Sequence, residues 1–145
     1  MTVTLRSAAK DDEKKIKALI HQVGINPMSL DWERFIVAED DGAFVGCGQI
    51  KPHKDGALEL ASLAVVPERQ GAGIGALLVK ALVERVPGEL HLTCLNNMVP
   101  YYRRFGFEEV GVEAMPRSLK TVYRAAKMFS KLIGHESISV MRRAG

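Results

Sequence analysis

Apolar positions recur along the chain with two periods, and the switches between them divide it into alternating strands and helices. Residues 2–6 alternate like a short strand. Ile16, Leu19, Ile20 and Val23 then fall at i, i+3, i+4 and i+7, the stripe of a helix ending near Gly24, with Ser7 as its candidate cap and Asp11 and Asp12 at its positive end. Beyond a loop with Asn26 and Pro27, strands over 35–39 and 43–51 flank the turn Asp40-Asp41-Gly42 and read as a hairpin. His53 to Gly56 makes another turn, and the nearly continuous apolar run from Leu58 to Val66 predicts a central strand. Ile74, Leu77, Leu78, Ala81 and Leu82 mark a second helix, closed by Pro87 and Gly88. A strand over 89–95, a short helix over 101–105 stopped by Gly106 and a strand over 107–112 follow. The next helix sets Leu119, Val122, Tyr123, Ala126, Phe129 and Ile133 on one face and Lys120, Arg124, Lys127 and Lys131 on the other, before a last strand over 136–141. The order predicts an α/β fold, a mixed sheet with helices on both faces, in a single domain over residues 1–145.

Composition narrows what such a domain does. At 145 residues, 47% apolar and 26% charged, the chain has the balance of a globular domain with a full core and no disorder signature. Its net charge of +3 is spread out, with small clusters at Arg103-Arg104 and Arg142-Arg143, which favours an anionic ligand without making a nucleic-acid footprint. Cys47 and Cys94 lie in apolar runs with no Cys or His at metal spacing, and read as free thiols in a reducing compartment. His21, His53, His91 and His135 are scattered and read as structural or solvated, so no metal is expected. The N-terminus lacks a signal-peptide core and no apolar run approaches the roughly 18 residues of a membrane span. A soluble cytoplasmic protein is expected, with no membrane partner.

The stretch VVPERQGAGIGALL, residues 65–78, then stands out because Gly71, Gly73 and Gly75 fall within five positions at the start of a helix. Glycine there costs folding entropy and lets a ligand come close to backbone N–H groups, and a helix N-terminus favours an anion such as a diphosphate. On paper Gly71-Ala72-Gly73-Ile74-Gly75-Ala76 fits a dinucleotide fingerprint. That fingerprint sits directly between strand and helix in a first βα unit, whereas here Pro67 to Gln70 intervene and three strands come earlier. A P-loop is excluded because Ala76 and Leu77 stand where Lys and Ser or Thr are required.

A third reading, the diphosphate site of coenzyme A, rests on a resemblance, the alternative being a glycine-rich helix start with no ligand. Leu63-Ala64-Val65-Val66-Pro67, followed by Gln70-Gly71-Ala72-Gly73-Ile74-Gly75, resembles motif A of the GNAT N-acetyltransferase superfamily, and Tyr101-Tyr102-Arg103-Arg104-Phe105-Gly106-Phe107 resembles its motif B. The resemblance covers nearly the whole chain. It implies the acyl-CoA N-acyltransferase fold, whose central mixed sheet is mostly antiparallel, and acetyl-CoA as co-substrate. It places Leu63, Ala64, Val65, Gln70, Gly71, Ala72, Gly73, Ile74 and Gly75 around the cofactor. Where relatives carry Asn and Ala seven and four residues before the motif B tyrosine, this chain has Leu95 and Met98, and Asn96 is the candidate substitute for the contact to the cofactor arm.

Acetyl transfer to an amine makes three demands. The amine, with a free pKa near 10.4, must lose a proton; the thioester oxygen needs donors; the departing sulfur needs a proton or another stabiliser. Glu59 heads the central strand, where a period of two sets it with Ala61, Leu63 and Val65 on one face, and it is the candidate base, the alternative being a solvated charge at the sheet edge. The resemblance implies a local bulge that frees backbone amides near residues 63–65 for the thioester oxygen. It gives Tyr102 the part of general acid and leaves Tyr101 to pack. Trp32 is a candidate for the acceptor pocket or for the core. The basic face of residues 120–131 reads as part of a helix packed on the sheet or against a second copy, rather than as a membrane surface. The expected function is acetyl-CoA-dependent transfer to a small amine or amino acid in a ternary complex, with a homodimer possible. The alternatives are a non-catalytic acyl-CoA sensor and a protein N-acetyltransferase.

Overall fold

The computed structural model describes residues 2–133 and 137–145, with 130–133 described by backbone alone. His135 and Glu136 lie outside the described residues. The chain folds into two compact units, one of Met1–Lys51 with Leu60–Arg85 and one of Pro52–Glu59 with Val86–Gly145.

The first unit begins with β1 (Val3–Ser7) and α1 (Glu13–Val23), followed by β2 (Phe35–Asp40) and β3 (Ala43–Pro52, its last residue in the second unit). Most of β4 (Leu58–Val65) and all of α2 (Ile74–Glu84) complete it. β1 runs antiparallel to β2 from Val3↔Asp40 to Ser7↔Ile36, and β2 antiparallel to β3 from Phe35↔Gln49 to Asp40↔Ala43. The apolar stripe of α1 does what its spacing predicts: Ile16, Leu19 and Ile20 pack with Phe35, Val37, Cys47 and Ala64. The capping residue differs from expectation. Ser7 stays in β1, where its hydroxyl accepts from Arg85 at 3.3 Å, and Asp12 does the work instead. Asp12, 3% exposed, accepts the Ala9 N–H at 2.7 Å and takes both Arg6 terminal nitrogens at 2.7 and 2.9 Å, and this guanidinium holds its carboxyl below the usual range. A carboxylate suits this place because its two charged oxygens take both arms of the guanidinium while one also accepts the backbone amide, a bidentate ion pair that a neutral serine hydroxyl does not offer.

The second unit holds β5 (Leu90–Leu95), α3 (Val99–Arg103), β6 (Glu108–Glu109), α4 (Arg117–Ile133) and β7 (Ile138–Arg143). β7 lies antiparallel between β5 (Leu90↔Arg143 to Leu95↔Ile138) and β6 (Glu108↔Arg142, Glu109↔Met141), and the first turn of β4 pairs in parallel with β5 at Glu59↔His91. The seven strands follow the order β1-β2-β3-β4-β5-β7-β6, a mixed and mostly antiparallel sheet. Met115, Leu119 and Val140 form a small core with Val110, Val112 and Tyr123 against it. Two expectations are corrected. The strand over 107–112 shrinks to β6, because Gly111 and a 3-10 turn at Val112–Ala114 lead the chain away from β7. On α4 only the Leu119 and Tyr123 side of the predicted face is covered, while Val122 is 49% and Phe129 61% exposed. At about 100° per residue these two sit roughly 60° and 80° to one side of Leu119, and Tyr123 about 40° to the other.

Candidate functional site

The glycine stretch in the first unit is shaped by backbone. After β4, a 3-10 turn at Pro67–Arg69 is tied back by an ion pair between Arg69 and Asp40, and the Gln70 side chain folds over to donate to the Val65 carbonyl at 3.1 Å. Gly71 and Gly73 follow with φ of 84° and 85°. A Cβ at either would meet no protein atom within 4 Å, so glycine is required by the left-handed backbone and not by crowding. Gly73 is the N-cap of α2, with no side-chain cap and no acidic residue in the first turn, and the first bond back into the helix is Leu77 N–H to the Gly73 carbonyl at 3.2 Å. The amides of Ile74, Gly75 and Ala76 therefore have no partner within the helix, at the positive end of an 11-residue dipole. Ala72 is exposed, whereas the Ile74 side chain is buried at 1% exposure, so Ile74 has only its amide to offer. This uncapped, acid-free start has the chemistry that favours an anion at a helix N-terminus.

Upstream on β4, Ala64 is buried and Leu63 and Val65 are half-buried. Ser62 sits at φ 56°, left-handed inside a strand. The unbroken alternation of Glu59, Ala61, Leu63 and Val65 drawn from a period of two is therefore interrupted between Ala61 and Leu63, by a kink of the kind a bulge produces. The Cys47 thiol lies 3.8 Å from the Ser62 carbonyl, and burial pushes that thiol up to about 12.

In the second unit Glu59 is no solvated edge charge. Its Oε1 lies 2.7 Å from Nε2 of His53, with the two side chains 13% and 18% exposed. The hairpin turn brings them together: His53 N–H donates to the Ala57 carbonyl at 2.9 Å, and Gly56 N–H to the His53 carbonyl at 3.0 Å. Asp55 in that turn accepts from Ala57 N–H at 3.1 Å and from Ser118 N–H at 3.0 Å, in the first turn of α4, and these amides draw its carboxyl down to about 2. His91, the register partner of Glu59, is 1% exposed with neither ring nitrogen hydrogen-bonded among the described residues, its Nε2 3.7 Å from a Glu89 carboxylate oxygen, and burial lowers its pKa. His53 is the residue the sequence reading missed. Its signal was the predicted turn, which sets position 53 beside the start of the next strand.

Tyr102 on α3 packs edge-on against Tyr101 (centroids 5.1 Å, 84°) and Phe107 (6.3 Å, 79°), and burial pushes its phenol up to about 12. Among the described residues no hydrogen bond reaches its hydroxyl. The Tyr101 ring stacks edge-on with Phe105 at 5.4 Å beneath the Arg104 guanidinium, a packing role. Asn96 accepts the Ser139 hydroxyl on Oδ1 at 2.5 Å, which leaves its NH2 to donate elsewhere, and it lines a cleft of about 230 Å³ with Glu109, Tyr123, Lys127 and Ser139. Among the described residues no group of three His, Cys, Asp or Glu could hold a metal, and no helix is long and apolar enough to cross a membrane.

Comparison with known proteins places this architecture. The chain is 30% identical over 95 residues to an amino-acid acetyltransferase of Vibrio vulnificus, covering 63% of this chain and 21% of that protein. It is 30% identical over 132 residues to one from Ralstonia nicotianae, covering 82% of this chain and 29% of that protein. The matched stretch thus spans 21% to 29% of the length of these relatives. Its fold superposes, with a TM-score of 0.77 and 22% identity over 99% of this chain and 35% of the other, on an N-acetylglutamate synthase from Neisseria gonorrhoeae complexed with coenzyme A and N-acetyl-glutamate. Residues 31–109, which run from the turn before β2 through the left-handed glycines to the Glu108–Glu109 strand, match the acetyltransferase (GNAT) domain, and the chain belongs to that family.

Proposed function

We propose that the protein is an acetyl-CoA-dependent N-acetyltransferase that acts on a small amine, the α-amino group of an amino acid above all. The uncapped start of α2 behind two left-handed glycines carries this reading, because it offers successive free amides to a diphosphate and presents no competing carboxylate. The amino-acid acetyltransferases among its relatives, and the neighbour that holds coenzyme A with N-acetyl-glutamate, support the choice of acceptor.

Transfer is direct. The neutral amine nitrogen attacks the thioester carbon, its surplus proton passes to Glu59 held by His53, the carbon–sulfur bond breaks with its electron pair going to sulfur, and the resulting thiolate, receiving a hydrogen bond from the Tyr102 hydroxyl, takes a proton from solvent to become the free thiol of coenzyme A. Backbone N–H groups after the Ser62 kink receive the thioester oxygen. An acyl-enzyme route is disfavoured because burial holds the Cys47 thiol near 12 and the Cys94 thiol near 11, so neither is a thiolate at neutral pH. Two free thiols support a cytoplasmic setting, and the exposed Val122, Met128 and Phe129 of α4 support a homodimer.

Thermal melting with acetyl-CoA, coenzyme A, NAD and ATP in parallel tests the reading. A ligand at 100 times its Kd adds roughly 2.7 kcal/mol of stability. The two CoA species alone should raise the melting temperature, Gly73→Asp should abolish the rise, and a panel of amino acids should then release thiol from acetyl-CoA. A shift with NAD, or none, overturns the cofactor assignment; a shift without thiol release for any amine makes the protein an acyl-CoA sensor.

A further inference from the structure

Gln49 on β3 is completely buried, at 0% exposure. A primary amide is stable there only if its polar atoms are bonded, and one end of this side chain is used to the full. Its Nε2 donates one proton to the Ser29 backbone carbonyl at 3.1 Å and the other to the Ser62 hydroxyl oxygen at 2.9 Å. Ser29 O is an acceptor only, so the nitrogen has to face it and the amide has one orientation. Oε1 is in consequence buried without a hydrogen-bond partner among the described residues. The chain keeps a costly half-satisfied amide where an apolar residue would be the cheaper filler.

The two residues it holds share a second property. Ser29 and Ser62 have φ of 58° and 56°, and the only other left-handed non-glycine among the described residues is Asp41, in the β2–β3 turn. Side chains other than those of Gly, Asn and Asp visit that region at a cost, and persist there when surrounding contacts over-determine them. One buried amide is bonded to both strained serines, one in the loop over 24–31 and the other at the kink of β4.

We propose that Gln49 is a positioning residue that sets this loop and the β4 kink as one piece. Through Ser62 it aims the backbone amides of Leu63, Ala64 and Val65; through Ser29 it fixes the loop that leads into Trp32. The proposal rests on the acetyltransferase reading, in which those amides face the thioester. Its consequence is that acetyl-CoA binding at the kink tightens the loop, and a ligand that orders the loop tightens acetyl-CoA binding by the same factor.

The test is hydrogen exchange by mass spectrometry on the full chain, with and without acetyl-CoA, together with calorimetric acetyl-CoA binding. Ser62→Ala removes one acceptor oxygen and touches nothing in the loop. Exchange should nevertheless rise at least threefold over 24–31 as well as over 62–66, acetyl-CoA should bind about fivefold more weakly, and exchange in α1 should stay unchanged. Ser62→Gly, which also relieves the left-handed backbone and so protects folding, should show the same two-site effect. Gln49→Glu cannot donate to Ser29 while ionised, so it should behave like Ser62→Ala at pH 8 and recover at acidic pH as its carboxyl gains a proton, a pH dependence the wild type lacks. Effects of both Ser62 variants confined to β4, or a Gln49→Glu protein indistinguishable from wild type across pH, overturn the proposal. If the wild type fails to bind acetyl-CoA while the Ser62 variants still loosen the loop, the clamp stands and the acetyltransferase reading falls.

Discussion

Replacing Tyr102 by phenylalanine separates packing from chemistry at a position where the structure predicts both magnitudes. The edge-on contacts with Tyr101 and Phe107 are made by the ring and survive, and the hydroxyl has no partner among the described residues. The folded state should lose no more than about 0.5 kcal/mol, or roughly 2 °C in melting temperature. The catalytic effect follows from the phenol's acidity. Burial holds it near 12, well above the roughly 8.5 of an ordinary thiol, so full proton transfer from the phenol to a finished thiolate runs uphill. On the proposed mechanism Tyr102 would then act less as the full proton donor implied by the family resemblance than as a hydrogen-bond donor to the sulfur as charge builds on it, with the thiolate gaining its proton from solvent afterwards. A hydrogen bond to a charged group is worth about 1.5–3 kcal/mol, so Tyr102→Phe should lower kcat by about 10- to 150-fold. Acetyl-CoA affinity should stay within about twofold of wild type. Thiol release at saturating acetyl-CoA, with the best amino acid of the panel, measures the first quantity, and calorimetry the second. Turnover within a factor of about two of wild type would remove Tyr102 from the mechanism. A loss accompanied by a fall of many degrees in melting temperature would assign it to packing. Wild-type kcat should also show no decline between pH 8 and 10, since the shielded phenol keeps its proton until pH approaches 12.

Glu59→Gln should reduce kcat at pH 7 by about 10²- to 10⁴-fold, with the deficit shrinking as pH rises through the pKa of the acceptor's own amino group, about 8 or above for an α-amino group, where the acceptor needs no base. His53→Ala should cost less, about tenfold, since it removes the partner 2.7 Å from Glu59 and not the carboxylate; a pH-independent deficit in Glu59→Gln would sink the general-base assignment. The two thiols, held near 12 and 11, should resist iodoacetamide in the native protein at pH 7.5, and mass spectrometry of enzyme quenched after mixing with acetyl-CoA should find no acetyl-cysteine. An adduct at either position would restore the acyl-enzyme route.

The parts of this molecule that are legible in its sequence are those where a local rule and the tertiary structure ask for the same residue. The stripe Ile16, Leu19, Ile20 had to face a core, and the left-handed turns at Gly71 and Gly73 call for glycine whatever surrounds them. Ser62 marks the other limit. Its strand context gives no sign of a left-handed residue, because what holds it there is an amide thirteen positions earlier, on the neighbouring strand β3. Asp55 fails in the same way: it reads as an ordinary turn aspartate, yet its second oxygen receives the first-turn amide of a helix 63 positions on. His53 lies between these limits, since drawing the predicted hairpin in register was enough to bring it beside Glu59, and scanning histidines only for metal spacing hid it. On α4, six apolar side chains fit one helical face in the sequence, but the face is wider than the core it meets, and spacing alone does not say that Val122 and Phe129 would be left in solvent. In each case but His53 the residue missed is one whose conformation or partner is decided by residues distant in sequence. A left-handed serine and a half-satisfied buried amide are costs that local rules select against, so their survival together at one place argues that the backbone they aim is needed in that shape.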